Sequence, residues 1–231
     1  MAAPYKPVMD FSWNGIPLET FVEIHKRWVE SKGLDGERAV LTGASLREAN
    51  LEYVDLRAAV LSEIDLREAN LTNATFRGAN LRKSLLAGAN CRSTIFRYAD
   101  MEEIDLRDAE MDEADLRDTD LRNAILTRTH LTLTNLRCAD LEGADLGQAN
   151  LEFADLTETN LTGVNLKDAH FLATNFSRAT LTGANLEGAL NLTVEQLARA
   201  KTLFNARLDR SLLEEIKKIH PSLLEPPESK A

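Results

Sequence analysis

The sequence repeats with a period of five residues over most of its length. From Leu41 to Leu186 every fifth residue is large and apolar, which gives 30 successive positions without an insertion, and 23 of them are Leu. Two residues before each position lies a small residue, Ala in 19 cases, and the residue between the two is Asn or Asp in 19 cases. A period of five fits neither an α-helix, at 3.6 residues per turn, nor a continuous strand, at 2.0. An ordinary amphipathic helix is therefore excluded over this region.

Each five-residue unit is typical of a very short strand followed by a turn. The small, polar and large residues alternate, so the small and large side chains share one face, and two polar positions follow. Stacked in register, such units form a coil with Leu over Leu and Ala over Ala, held by ladder hydrogen bonds. Arginine recurs at every twentieth residue from Arg57 to Arg137. This favours four units per coil over three, although recent duplication of a 20-residue segment would give the same pattern.

The unit A-[ND]-L-x-x, as in Ala49-Asn50-Leu51, resembles the repeat of the pentapeptide-repeat protein family. The resemblance covers Ala39 to about Ala189. It implies an all-β fold, a right-handed quadrilateral parallel β-helix with 20 residues per coil and the Leu and Ala positions inside. The 30 units then make a solenoid of about 7.5 coils, and a strand spacing of about 4.8 Å gives a rod about 36 Å long.

Both ends of the repeat need covers, because a stacked β-rod exposes unpaired backbone donors and acceptors at each end. We predict three regions: an N-terminal segment with a capping helix over 1–38, the β-helix over 39–190, and a C-terminal helical cap and tail over 191–231. The N-terminal helix is expected over 17–32, with Pro in its first turn, an apolar stripe and Gly33 just past its end. Residues 225–231 are expected to form a frayed tail.

The C-terminal region contains helix-start patterns and a last fragment of the repeat. Capping boxes that begin at Thr193 and Ser211 predict helices near 194–200 and 212–219. Between them, Leu203 and Leu208 keep the five-residue spacing. We therefore expect one partial coil after the main repeat.

The sequence contains no residue pattern typical of a catalytic or metal site. Of its four histidines, His130 and His170 fall on one face two coils apart, about 9.6 Å by strand spacing, which is too far to share one metal. Cys91 occupies an inward Leu position and Cys138 an outward one, and we expect an inert buried thiol and an incidental surface thiol. The recurring Asn and Asp are interpreted as partners of the local backbone. We therefore expect no enzyme, no cofactor and no metal.

Composition and charge limit the compartment and the partners. No apolar run reaches the roughly 20 residues that a membrane helix needs, and Met1 to Gly15 has no basic stretch followed by an apolar one. We therefore expect a cytoplasmic protein without a membrane contact. The formal net charge of −10 and the pI near 5.0 disfavour direct binding to nucleic-acid phosphates, which requires an excess of Lys and Arg.

Acidic residues are concentrated in one coil, which we call the acidic belt. Residues 100–120 contain eleven carboxylates against Arg107 and Arg117. The acids are Asp100, Glu102, Glu103, Asp105, Asp108, Glu110, Asp112, Glu113, Asp115, Asp118 and Asp120. A belt of net −9 predicts a basic partner, and the alternative is a solvated surface that keeps the rod soluble.

Five arginines at intervals of twenty form an arginine ladder along one face, with about 4.8 Å between neighbours. They are Arg57, Arg77, Arg97, Arg117 and Arg137. Acids such as Asp55, Asp115 and Asp155 lie beside them. Two interpretations are open: self-compensating surface pairs, or a rail of guanidinium groups for an acidic partner.

Three apolar residues, Leu133, Phe153 and Leu172, occupy outward positions and form an apolar patch. Leu133 and Phe153 are one coil apart on the face that carries His130 and His170. Exposed contiguous apolar groups mark a contact surface. Either the C-terminal segment 201–224 folds back over the patch, or the patch belongs to a dimer or partner interface.

The leading functional hypothesis is a non-enzymatic protein-interaction scaffold, with an unknown protein partner and a possible homodimer through the C-terminal helices. The family resemblance implies an alternative. Some pentapeptide-repeat proteins mimic duplex DNA in charge and dimensions and bind bacterial type II topoisomerases, which makes DNA gyrase or topoisomerase IV a possible partner. The acidic charge and the unbroken rod agree with this alternative, whereas the arginine ladder disagrees.

Overall fold

The repeat lies between a small N-terminal unit and three short helices at the C-terminal end. The structure, a computed structural model, describes residues 11–226. β1 (Ser12–Trp13) and β2 (Ile16–Pro17) form an antiparallel hairpin, and α1 (Leu18–Glu30) follows directly. After the repeat come α2 (Val194–Leu197), α3 (Arg210–Ile219) and a 3-10 helix (Pro221–Leu224). The expectations for the first ten residues and for the tail beyond 226 lie outside the described residues.

The repeat forms a solenoid of parallel β-bridges. The bridges join residues twenty apart, from Val40 with Val60 to His170 with Leu190. Each bridge is closed by backbone hydrogen bonds between adjacent coils, as where the Leu41 N–H donates to the Val60 carbonyl over 2.9 Å. Four five-residue units therefore complete one coil, which has four faces. The prediction of a repeat β-solenoid is confirmed.

The turns between faces place one residue of every unit in the left-handed region. This residue lies two positions after each inward Leu, and its φ is positive in every unit from Gly43 to Gly188. Only seven of these 30 positions are Gly, although other residues rarely adopt such a φ. Hydrogen bonds to the next coil hold them, as where the Phe153 N–H donates to the Leu172 carbonyl over 2.8 Å. The rod therefore displays its corner side chains in rigid rows.

The recurring Asn and Asp side chains hydrogen-bond the backbone two residues ahead. The Arg57 N–H donates to Asp55 Oδ1 over 3.1 Å, and the Thr72 N–H donates to Asn70 Oδ1 over 3.2 Å. Neighbouring coils add side-chain ladders, because Asn70 Nδ2 donates to Asn50 Oδ1 over 2.9 Å. These bonds give a structural reason for the repeated Asn and Asp.

The interior is a filled column of Leu, Ala and Phe side chains. The inward residues are buried from Ala39 to Leu186, and the rings of Phe76 and Phe96 stack with their centroids 5.3 Å apart. Ser or Thr replaces the small Ala at several inward positions. Their hydroxyls donate to backbone carbonyls, as from Thr94 Oγ1 to Leu71 O over 2.7 Å. The column therefore holds polar groups without leaving these hydroxyls unsatisfied.

The N-terminal unit packs on the first coil through α1. The helix begins directly after Pro17 and is two residues shorter than the predicted span at its C-terminal end. Leu18 and His25 are fully buried, and His25 Nδ1 accepts a hydrogen bond from the Ala39 N–H over 3.0 Å. The apolar stripe of α1 was predicted from the sequence, whereas the burial of His25 was not. The β1–β2 hairpin was not predicted either, because a two-residue strand has no periodicity.

The C-terminal region adds a partial coil to the solenoid and then forms α3 and the 3-10 helix. Parallel bridges join Thr180 with Thr202 and Asn185 with Arg207. The predicted partial coil is thus present, with two extra residues inserted by α2. The Thr193 capping box forms, whereas Ser211 lies inside α3, which begins at Arg210. The second capping-box prediction is therefore wrong. Asp209, at the N-cap, instead accepts the Gly188 N–H through Oδ1 over 3.1 Å.

Candidate protein-interaction surfaces

Most carboxylates of the acidic belt form ion pairs, many of them with Arg or Lys of neighbouring coils. Nine of its eleven carboxylates lie within ion-pair distance of Arg or Lys. Those nine are Asp100, Glu102, Glu103, Asp105, Asp108, Glu110, Asp112, Asp115 and Asp120. Only Glu113 and Asp118 form no ion pair among residues 11–226. The net charge of −9 counted for residues 100–120 therefore overstates the negative charge that this surface presents to a partner.

The pairing partners come mainly from the coils above and below. Asp108 accepts two hydrogen bonds from Arg128, both 2.7 Å, and this guanidinium holds the pKa of Asp108 below its usual range. Arg122 does the same for the pKa of Asp120, over 2.6 Å. These partners are twenty residues or two residues away in sequence. Comparing charged residues twenty positions apart in the sequence would have identified pairs such as Asp108 and Arg128.

Two groups of side chains have the spacing of metal ligands, and in each group an arginine already pairs with the carboxylates. In the first, ligand atoms of Glu110, Asp112 and His130 lie within 4.8 Å of one another. Arg92 reaches Glu110 over 2.7 Å and Asp112 over 3.4 Å. The second group is Asp100, Glu102 and Asp120, and both Arg82 and Arg122 pair with Glu102. In both groups an arginine guanidinium occupies the place that a metal ion would need, so neither group fits a metal ion.

The arginine ladder divides into paired and unpaired members. Arg57 binds Asp55 over 2.6 Å, Arg117 binds Asp115 over 2.5 Å, and Arg137 lies 3.5 Å from Asp155. Arg77 and Arg97 form no ion pair among the described residues. They lie over the Tyr98 ring instead, 5.4 and 5.1 Å from its centroid. The interpretation as self-compensating surface pairs thus holds for three arginines of the ladder, and Arg77 and Arg97 have no such pair among the described residues.

The apolar patch is exposed and extends further than the sequence indicated. Leu133, Phe153 and Leu172 are 57, 49 and 44% exposed, and Leu190, which pairs with His170 in a β-bridge on the same face, is 48% exposed. We call these four residues the apolar strip. The described C-terminal segment, which ends at 226, does not cover it. The fold-back interpretation is therefore wrong, because α3 and the 3-10 helix pack at the end of the solenoid, where the Leu203 N–H donates to the Leu223 carbonyl over 2.7 Å.

The two cysteines and His130 are the remaining candidate groups, and neither cysteine is activated. Cys91 is fully buried, and burial raises the pKa of its thiol. Partial burial and the nearby Glu158 carboxylate also raise the pKa of Cys138. His130 Nδ1 lies 3.5 Å from Glu110. A reactive thiol requires a lowered pKa, so neither cysteine has the environment of a nucleophile.

Comparisons with known proteins identify relatives of the fold. The family model for pentapeptide repeats matches with eight copies, over 37–62, 49–86, 84–123, 114–152 and 154–190. No curated protein matches the sequence significantly. Among described residues, no helix is long and apolar enough to cross a membrane.

Solved structures with the same fold are remote in sequence. Trypsin-treated QnrB1, described as a plasmid-mediated fluoroquinolone resistance protein, is 20% identical with a TM-score of 0.69, over 78% of this chain and 92% of that one. HetL from the cyanobacterium Nostoc, described as involved in heterocyst differentiation regulation, is 24% identical with a TM-score of 0.39, over 79% of this chain and 92% of that one. At 20% identity the likeness to QnrB1 shows the fold alone.

Proposed function

This chain belongs to the pentapeptide repeat family, and we propose that it is a non-enzymatic rod that binds a protein partner in the cytoplasm. In this proposal the solenoid is right-handed, as parallel β crossovers almost always are, and has about 7.5 coils, from its 30 units. Catalysis needs a concave site that excludes water. The interior of this rod is filled by Leu and Phe side chains, which supports a role for its outer surface.

The apolar strip is the observation that carries the proposal. Its four side chains are each about half exposed on a rod whose other corners are mostly polar. Burying the exposed half of each contributes about 1 kcal/mol, or about 4 kcal/mol together. A stable interface buries about 800 Å² per partner, so the strip is the apolar centre of a larger contact.

Replacing Phe153 with Asp tests the strip. Phe153→Asp places a charge at its centre, and we expect loss of a captured partner protein. Tyr53→Asp is the matched control, because Tyr53 occupies the same corner position five coils away, with a φ of 62° against 59° for Phe153. Light scattering gives the oligomeric state, and affinity capture compares the bound proteins. Identical behaviour of wild type and Phe153→Asp in both assays would remove the strip from the proposal.

A homodimer is the first partner to examine. We place its contact on the C-terminal helices, where Ile219 at the end of α3 is 52% exposed. Ile219→Asp is expected to convert a dimer to a monomer in light scattering. A dimer that survives this substitution and dissociates with Phe153→Asp would move the contact to the strip.

A second candidate function is mimicry of DNA toward a bacterial type II topoisomerase, gyrase or topoisomerase IV. The formal net charge of −10 favours it, whereas the ion pairs of the acidic belt weaken it. A gyrase supercoiling titration is the test. Inhibition at stoichiometric concentration by a dimer, lost when Asp105, Asp108, Asp112 and Asp115 are all replaced by Asn, would support mimicry. No effect at large excess would leave the scaffold with another protein partner.

A further inference from the structure

Two arginines of the ladder lack the carboxylate that their neighbours have. Arg57 and Arg117 each pair with an Asp two residues earlier in the same unit. At the equivalent place before Arg77 and Arg97 the chain has Thr75 and Ile95. Neither Arg77 nor Arg97 forms an ion pair within residues 11–226. The change from Asp to a neutral residue thus leaves two adjacent guanidinium groups without an ion pair, although the Asp115 carboxylate in the next coil still attracts Arg97.

Tyr98 holds these guanidinium groups in place without neutralising them. The Arg77 and Arg97 guanidinium carbons lie 5.4 and 5.1 Å from its ring centroid, and Arg97 Nη2 donates to Tyr98 Oη over 3.1 Å. The buried Nε of Arg97 has no acceptor in the described part of the chain. Cation–π contacts leave the remaining guanidinium N–H groups free to donate. The site is therefore ordered and cationic, and it retains unused donors.

The surroundings limit what can bind there. The paired Arg57 and Asp55 lie on one side. On the other side lie the paired Arg117 and Asp115, next to Arg97, and Asp118, which forms no ion pair among described residues, lies one coil beyond Tyr98. The region without ion pairs is thus about two coils long, about 10 Å at the strand spacing. A nucleic acid would extend past this region onto a protein of net charge −10, which disfavours polyanion binding. A short segment with two or so carboxylates fits the charge and the length.

We infer that Arg77, Arg97 and Tyr98 form a binding site for an acidic peptide segment of a protein partner. The two guanidinium groups receive Asp or Glu carboxylates of the segment, since planar guanidinium groups bind carboxylates through paired hydrogen bonds. Ile95 and Tyr98, 40 and 49% exposed, offer apolar surface to a neighbouring side chain. The inference rests on the proposed protein-binding function, and it concerns a different corner from the apolar strip.

Fluorescein-labelled octa-glutamate is the probe, with octa-glutamine as the neutral control. Fluorescence anisotropy is measured with wild type, with the double variant Arg77→Gln/Arg97→Gln and with Arg128→Gln/Arg207→Gln, whose arginines pair with Asp108 and Glu187 away from the site. Both variants lose the same two positive charges, but only the first loses unpaired guanidinium groups. We expect the first to weaken octa-glutamate binding by at least about tenfold, the loss of two charged hydrogen-bonding groups, and the control by less than about threefold.

Several results would overturn the inference. Equal weakening in the two double variants would mean that only the long-range charge matters, and failure of octa-glutamate to bind better than octa-glutamine would remove the site. Binding of a labelled single-stranded DNA octamer as tightly as octa-glutamate, lost in Arg77→Gln/Arg97→Gln, would assign the site to phosphates instead. Phe153→Asp should leave octa-glutamate binding unchanged, so failure of the strip and failure of this site are distinguishable. Circular dichroism checks that each variant is folded.

Discussion

His25 makes the attachment of the N-terminal unit sensitive to pH. The side chain is fully buried, its Nδ1 accepts the Ala39 N–H over 3.0 Å, and its ring stacks on Trp28 with a centroid distance of 5.5 Å. Burial lowers the pKa of His25 and outweighs the Arg57 carbonyl and the Asp55 carboxylate, which raise it. The imidazole is therefore held neutral, with its hydrogen on Nε2.

The size of the effect follows from proton linkage. Once undocked, His25 regains a pKa near 6.5, above its pKa in the folded state. The free energy of docking is therefore fully present above pH about 6.5 and falls as the pH drops below that value, by at most about 1.4 kcal/mol per pH unit. This loss includes the cost of turning Nδ1 from an acceptor into a donor that faces the Ala39 N–H. We expect the docking of α1 to weaken as the pH falls below about 6.5, while the coils stay folded.

Tryptophan fluorescence reads this event directly. The chain has two tryptophans, Trp13 and Trp28, and both lie in the N-terminal unit, so a red shift of the emission between pH about 8 and about 4.5 reports its detachment. Far-ultraviolet circular dichroism follows the coils over the same range. His25→Asn places an amide oxygen near the position of Nδ1, which accepts the Ala39 N–H without titrating, so its emission should not change with pH. A wild-type emission that stays constant, or a His25→Asn variant with the wild-type transition, would refute this reasoning.

Three further outcomes follow from local geometry. Gly36 has a φ of +77°, and an added Cβ would lie 2.3 Å from the Ile24 carbonyl oxygen. Gly36→Ala should therefore weaken the docking of α1 at neutral pH by more than about 1 kcal/mol, measured by tryptophan fluorescence in a urea titration. Phe96→Ala should reduce the free energy of unfolding by about 3–5 kcal/mol in a urea titration, because it removes a fully buried ring from the Phe76 stack. A thiol reagent should label Cys138 alone in the folded protein and both cysteines in denaturant, since Cys91 is fully buried; rapid labelling of two thiols without denaturant would contradict the burial of Cys91.

The sequence predicted the solenoid because its determinants are local and repeated. Inward Leu and Ala, outward polar residues and a turn recur in every unit, so each unit favours the same conformation and stacking adds no new pattern. The same repetition predicted the partial coil at Leu203 and Leu208. The β1–β2 hairpin and the start of α3 escaped prediction. Each depends on a few contacts, such as that of Asp209 with the Gly188 N–H, which no periodicity records.

The candidate surfaces divide in the same way. The sequence alone determined which residues face outward, and it therefore identified the acidic belt, the arginine ladder and the apolar patch by residue. Only the tertiary structure decided which charges meet, since Asp108 and Arg128 are twenty residues apart and become neighbours through stacking. It also decided that Arg77 and Arg97 stay unpaired and that the apolar strip stays uncovered. The physical reason is that side-chain direction follows from local backbone geometry, whereas electrostatic and apolar contacts depend on distance in space between coils.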